Sequence, residues 1–579
     1  MPLFVEELTK SVLESGAPLV GIPTTLRDSL MARLDRLASV RRIAQIGAAI
    51  GREFPYGLLG SISGLTENEL QGALRQLVAS ELVFQRGTPP DAVYAFKHAL
   101  VQEAAHDSLL RSTRQQLHAQ IAETLEAHSP ELIDSQPELF ALHYAEAGLI
   151  EKSVAFWAKA GHRSAALSGM VEAAAQFQKA LDQLASLPDA PERQRQELEL
   201  QSGLGAALLL VKGFAARETG HTYARARELW LQLGSPSEFF HVPWGQFFFH
   251  VNRCEFGVAQ RLAEDLLSLS RQHNDTAGLV LGHTCSGRAL MPVGRFASSR
   301  SHLEEALALY DPISHRSLLH QVGLDPEVVS RTNLGNVLFI LGFPDQALAS
   351  NRAAIIGARK LAHPPSLALS LGFGAILLSL VGDDAIFAKR LDELAGVVAD
   401  HDFPLYRRGT GMVLRGWLTV KNGDVEEGIA LLRGGLTDYR AIGQEAWIPY
   451  FISLHAAACK IDGQIEASMT LVNEALQTAG RTGERWFLSE LNRLKGQLLL
   501  RQRHTETAEE LYRKALSVAR EQNAKLWELR AATSLAQLGL DQGRGTEARD
   551  LLAPVYGWFT EGFDTPDLKE AKALLDELG

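Results

Sequence analysis

The strongest constraint on the fold of this chain is a repeat. Turn-forming positions recur at Gly294, Gly342, Gly382, Gly423, Gly463, Arg503 and Gly543; after a first interval of 48 residues the spacings are 40, 41, 40, 40 and 40. Cys254 and Gly213 continue the ladder backward at 40 and 41. Small residues hold fixed offsets from six of these turns: Gly287, Gly335, Gly416, Ala456, Gly496 and Ala536 stand seven before, and Ser299, Ala347, Gly428, Ser468, Ala508 and Ala548 five after. Twelve after, Ala306, Ala354, Gly435, Ala475 and Ala515 are small again. Glycine inside a helix costs about 1 kcal/mol relative to alanine, so its recurrence points to a steric need: two antiparallel helices whose backbones touch at these positions. A unit of this length, repeated along the chain, builds a stacked, quasi-one-dimensional array.

These offsets resemble those of the tetratricopeptide repeat, as in "LKGQLLLRQRHTETAEELYRKAL". That family repeats every 34 or so residues, and the longer period here implies helices longer by most of a turn. The resemblance covers roughly residues 137–579. It implies an α-solenoid of tetratricopeptide-like helix pairs, and protein partners as the class such arrays bind.

The 579 residues allow three or four domains or one extended array. With 46% hydrophobic and 22% charged residues, the composition is that of a globular chain. No window of about 20 residues reads as free enough of charge and polar punctuation to span a bilayer, and no signal-peptide pattern is found, so no membrane partner and a cytoplasmic location are expected. The three cysteines lie far apart in helical patterns and read as buried core thiols. A net charge of −11 argues against a nucleic-acid partner held by phosphate neutralisation.

Residues 22–130 have a different grammar. "IPTTLRDSLMARLDRL" puts Leu26, Leu30, Leu34 and Leu37 on one helical stripe behind Pro23. Thr66 and Glu69 stand at capping-box spacing ahead of Leu70, Leu74 and Leu77. "LVFQRGTPPDAVYAF" reads as a β-hairpin, and "KHALVQEAAHDSLL" returns to helix. Helices followed by a two-stranded wing describe a small winged-helix domain. The expected fold class is therefore all-α: the α-solenoid, preceded by that domain with its one hairpin.

No catalytic constellation emerges. The chain has no Gly-Lys dipeptide and hence no Walker-type phosphate loop, no H-E-x-x-H and no C-x-x-C. In "GSISG", Ile62 occupies the place of the nucleophile. His98 and His106 lie eight apart on a helix, about 12 Å by rise, too far to chelate one ion. No catalytic residue, metal ligand or cofactor is expected. Trp447, Trp486 and Trp527 recur 16, 17 and 16 residues before their turns. They form either a row of anchors for a partner peptide or wedges against the preceding helix pair.

"PLFVEEL", "IPTTLRDSLMARLDRL", "IGAAIGREF", "FKHALVQEAAHDSLL" and "QLHAQIAETLE", in this order, resemble the region after the ATPase core in bacterial STAND/AAA-type predicted ATPases. Some members of that family are fused to adenylate/guanylate cyclase domains. The resemblance implies that residues 1–21 correspond to the last helix of a nucleotide-binding domain whose core is absent. Pro2 matches the family's proline against the nucleotide base, without the Gly-Asn that usually precedes it. His98 in "FKHAL" matches the histidine that senses the bound diphosphate, with Ala99 where an acidic residue is common; capping of a helix start is the other reading.

Three functions follow as expectations: a non-catalytic signalling adaptor or scaffold that binds a protein through the solenoid; the separately encoded or truncated regulatory half of a STAND-type ATPase/adenylate cyclase, acting with a nucleotide domain in trans; and a DNA-binding transcriptional regulator. The last rests on Arg27, Arg33, Arg36, Arg41, Arg42 and Arg52 in the winged-helix region.

Overall fold

The computed structural model describes residues 38–401 and 403–579. Pro2, the expected 1–21 helix and the Leu26–Leu37 stripe lie outside the described residues, as do Arg27, Arg33 and Arg36. The chain divides into two compact units: one comprises the residues up to Arg163 with Gln176–Pro188, the other Ser164–Ala175 with Asp189–Gly579. The expected boundary at 130–137 falls inside the first unit, because the helix Pro137–Ala147 packs on Arg111–His128 there.

In the first unit the expected hairpin forms from β2 (Val83–Arg86) and β3 (Val93–Phe96), paired antiparallel from Val83↔Phe96 to Arg86↔Val93. A third strand, β1 (Glu53–Pro55), pairs with the other edge of β3, giving the order β1-β3-β2. Three residues are too short for a periodicity to announce. The helices Ala38–Ile50, Tyr56–Ser63, Glu67–Ala79 and Ala99–Asp107 surround this sheet in chain order. Phe54, Leu59, Leu74, Leu77 and Ile121 fill the core between them. The Thr66–Glu69 capping box is present, with the Thr66 N–H donating to Glu69 Oε2 at 2.9 Å.

The second unit is a run of antiparallel helix pairs, an α-solenoid of tetratricopeptide-like repeats. Its regular part pairs Thr276–Leu290 with Phe296–Leu309, Pro326–Leu341 with Pro344–Lys360, Pro364–Val381 with Asp384–Asp400, and Gly411–Lys421 with Val425–Ala441. Ile448–Ile461 with Ile465–Thr482, Leu488–Arg501 with Thr505–Glu521, and Lys525–Asp541 with Gly545–Tyr556 follow. The turn markers share one conformation: Gly294, Gly342, Gly382, Gly423, Gly463 and Gly543 have positive φ, and Cys254 (58°) and Arg503 (64°) adopt the same left-handed position where glycine is missing. The small residues meet across each pair. Ser299 Oγ donates to the Gly287 carbonyl at 2.6 Å, and Ser468 Oγ to that of Ala456 at 2.7 Å. The first interval is long because a short helix, Leu318–Val322, is inserted before Pro326 and buries Leu318 and Leu319.

The solenoid also returns on itself. The Asn252 carbonyl accepts from the N–H groups of Glu445 and Ala446 (2.9 and 3.1 Å), and the Pro292 carbonyl from Arg485 and Trp486 (2.7 and 3.0 Å). The turns inside early helix pairs thus satisfy the free N–H groups at the starts of late helices, which a helix end must find somewhere. The interior closes and fills with side chains. Contrary to the sequence reading, Pro364–Val381 is long and apolar enough to cross a membrane, the one such helix among the described residues; 78% of it is buried within this fold. Cys285 and Cys459 are buried as expected, and Cys254 is half-buried.

Candidate functional site

The closed coil decides the fate of the three tryptophans. Trp447, Trp486 and Trp527 are 5%, 1% and 0% exposed, so none stands on an outer surface as an anchor. They form an internal stack: Trp447 and Trp486 have ring centroids 4.7 Å apart, and Phe487 links Trp486 (4.9 Å) to Trp527 (5.6 Å). Phe373 and Phe339, from helices far earlier in the chain, meet Trp447 and Trp527 edge-on. The wedge reading describes them, with the difference that the surfaces they wedge against are those brought round by the coil.

Where this aromatic interior begins, one cation has no counterion among the described residues. Arg288 lies near the end of Thr276–Leu290 and is 8% exposed. Its Nη1–H donates to Asn333 Oδ1 at 2.9 Å, and its guanidinium lies 5.5 Å and 5.3 Å from the ring centroids of Phe248 and Phe373. Its Nε is buried with no hydrogen-bond partner, and no carboxylate among the described residues is paired with it. Burial pulls the guanidinium's pKa below its ordinary value, against the opposing influence of Tyr406 and Tyr439. A buried, uncompensated charge costs several kcal/mol, so a fold keeps one at the expense of stability.

Two local irregularities converge on the same cavity. The segment Leu405–Thr410 is a π-helical turn and contributes Leu405, Tyr406 and Thr410 to the wall. Such turns carry an extra residue per turn and occur often at functional sites. The Tyr406 hydroxyl is buried without a partner. Trp447 holds a positive φ of 71°, a strained conformation for so large a residue. The cavity has about 20 Å³ of space, room for one water molecule. On the other side of Tyr406 lies an apolar groove of about 300 Å³, lined by Leu391, Leu394, Val398 and Met412 with Arg407 and Arg415.

Glu484 fixes the strained tryptophan. Its carboxyl, 3% exposed, accepts from the Trp447 N–H through both oxygens at 3.1 Å and from Trp486 Nε1–H at 2.6 Å. Burial pushes its pKa up to about 7, although these donors favour the ionised form. The same carboxyl unfolded titrates near 4.5. Between those values the folded chain holds a proton that the unfolded chain has released, so raising the pH works against the fold. The melting temperature of the second unit is expected to fall from pH 5 to pH 7.5. In Glu484→Gln that slope should flatten; an unchanged slope would show that the carboxyl titrates normally.

His98 stands at the N-cap of Ala99–Asp107 without making a capping bond. Its Nε2 is buried with no partner among the described residues. The sequence reading overlooked Arg288, Tyr406 and Glu484. One signal was available: Arg288 is the lone lysine or arginine in "TAGLVLGHTCSGRAL", adjacent to the seam glycine Gly287.

No family model matches the chain. It is 25% identical over 563 residues to an uncharacterized protein of Rhizobium meliloti (strain 1021), covering 94% of this chain and 54% of that protein, so the chain spans about half the length of the curated relative it matches. Among solved structures it is similar to a Rap protein complexed with Competence and Sporulation Factor (TM-score 0.45, 12% identity, 64% of this chain and 98% of that one). It is also similar to the apo form of the quorum sensor NprR from B. thuringiensis (TM-score 0.39, 14% identity, 63% and 99%). The APC/C hetero-tetramer Cut9-Hcn1 gives a TM-score of 0.39 at 11% identity, over 83% of this chain and 98% of that one.

Proposed function

We propose that the second unit is a non-catalytic interaction module, a signalling adaptor or scaffold that receives a protein partner and seats one carboxylate of that partner on Arg288. The observation that carries this reading is the buried guanidinium with its unsatisfied Nε between two phenylalanine rings. A carboxylate would take two parallel bonds from such a fork, and the low-dielectric, aromatic surroundings strengthen them. Tyr406 offers its free hydroxyl as a further donor to the same anion. The present space admits only a water-sized group, so entry requires the π-helical turn to yield, and Tyr406 is the partition between the cavity and the apolar groove. A peptide C-terminus with an apolar last residue fits both halves: carboxylate on Arg288, side chain in the groove.

The test uses a library of short peptides in free-carboxylate and C-terminally amidated forms, read by thermal shift on the full chain. Free acids with apolar last residues are expected to raise the melting temperature and their amides not to. Arg288→Met should abolish the difference while melting at or above the wild-type temperature, since removing an uncompensated buried charge relieves the fold. No acid–amide difference anywhere in the library would sink the reading.

In the first unit, the hairpin and the third strand with their helices support a winged-helix domain. A second reading of the whole chain, as a cytoplasmic partner of a nucleotide domain supplied in trans, is favoured by the unsatisfied Nε2 of His98. It requires that His98→Ala weaken association with such a domain in a pull-down with purified proteins; equal association would remove its support.

A further inference from the structure

We infer that the first unit carries a divalent-metal site of the zinc class on His106, His118 and Glu146. The three residues come from three helices, Ala99–Asp107, Arg111–His128 and Pro137–Ala147, and the sequence separates them too widely for a motif. One ligating atom from each lies within 4.8 Å of the others. His106 Nε2 and His118 Nε2 are 3.2 Å apart. Two nitrogens bound tetrahedrally to zinc at about 2.0–2.1 Å stand about 3.3 Å apart, so the rings already have the spacing the ion needs.

His118 also has an outer partner of the kind that orients a metal ligand. His118 Nδ1 lies 2.9 Å from His143 Nδ1. With the ion on Nε2, His118 must carry its proton on Nδ1 and donate it to His143, which fixes both tautomers. His106 Nδ1 faces the Asp107 carboxylate at 3.7 Å, and that carboxylate also meets Arg114 at 3.9 Å. His118 and His143 are each 5% exposed. Burial first, then for His118 the charges of its neighbours, holds the pKa of His118 down to about 3 and that of His143 to about 4. Glu146 is exposed and leaves the fourth position to water. Two imidazoles and a single carboxylate select a borderline ion over magnesium or calcium, which require more oxygen donors. A bound ion would tie these three helices together at one point.

The experiment titrates chelator-treated full-length chain with zinc chloride by calorimetry, and repeats it with cobalt(II) to read coordination from the visible spectrum. One ion per chain and the intense bands of four-coordinate cobalt are expected. Glu146→Gln, at an exposed position, and His106→Gln should each weaken zinc by at least about tenfold while leaving the circular dichroism spectrum unchanged. Equal zinc affinity in wild type and in the double variant would place any bound ion elsewhere, on the free cysteines for example, and overturn the site. So would wild type that binds no zinc, or cobalt spectra of a six-coordinate, fully aquated kind.

Discussion

Replacing Gly416 with leucine is expected to destabilise the second unit by at least about 3 kcal/mol, the upper end of ordinary overpacking. A Cβ built on Gly416 would lie 2.8 Å from the Gly428 carbonyl oxygen and 2.8 Å from the Leu432 backbone nitrogen. Both are main-chain atoms of the facing helix, so no rotamer change relieves the clash and the helices must separate. Even Gly416→Ala should cost about 1–3 kcal/mol. Gly496 holds the equivalent place in a later repeat, but a Cβ there would meet the Tyr512 ring at 2.6 Å and the Ala508 carbonyl only at 3.2 Å. An aromatic ring can swing, so Gly496→Ala is expected to cost less than Gly416→Ala. Urea unfolding followed by tryptophan fluorescence checks the order, with Trp417 beside the altered seam as the local reporter. Equal midpoints for wild type and Gly416→Leu would mean that the helix pair closes elsewhere.

The seam was legible in the sequence because it is local. Turn conformation and the contact between a helix and its immediate successor depend on residues about a dozen apart, and glycine or alanine at fixed offsets records that contact directly. The tryptophans show the opposite case. Their periodicity was visible, but whether a regular row of side chains faces outward or inward depends on where the coil goes after several repeats. That is set by contacts such as Asn252 with Glu445 and Pro292 with Arg485, each worth little as a sequence signal. The same holds for Arg288: an arginine in an apolar helix is noticeable, but only the arriving rings of Phe373 and Trp447 and the absence of an arriving carboxylate reveal what it lacks. In the first unit, His106 was weighed against His98 on its own helix, while the residues that join it come from the two following long helices. Periodicity reports neighbours along the chain, and sites are made by neighbours in space.

An arginine in a part-buried ion-pair network shows how the same residue type serves the fold instead, and removing it is expected to destabilise. Arg530 donates to both oxygens of Asp567 at 2.7 and 2.9 Å, to Glu490 at 3.1 Å and to the Leu380 carbonyl at 2.6 Å, with its guanidinium 5.0 Å from the centroid of the Trp527 ring. It thereby joins the helix Leu488–Arg501, the last helix Pro566–Glu577 and the end of Pro364–Val381. Glu490 is itself buried and keeps Arg493 at 2.7 and 2.9 Å, so it remains paired when Arg530 is lost. Asp567 does not. Arg530→Met leaves that carboxylate and the Leu380 carbonyl without this donor, and breaking one partner out of a buried pair costs about 3–5 kcal/mol, an upper bound for this part-buried one. Arg288→Met removes a charge that has no carboxylate to abandon, and is expected to leave stability unchanged or raise it. Measured side by side by urea denaturation, only Arg530→Met should lower the midpoint. A loss at Arg288 as large as that at Arg530 would mean that the chain itself supplies the missing counterion, and the case for an external carboxylate would fall with it.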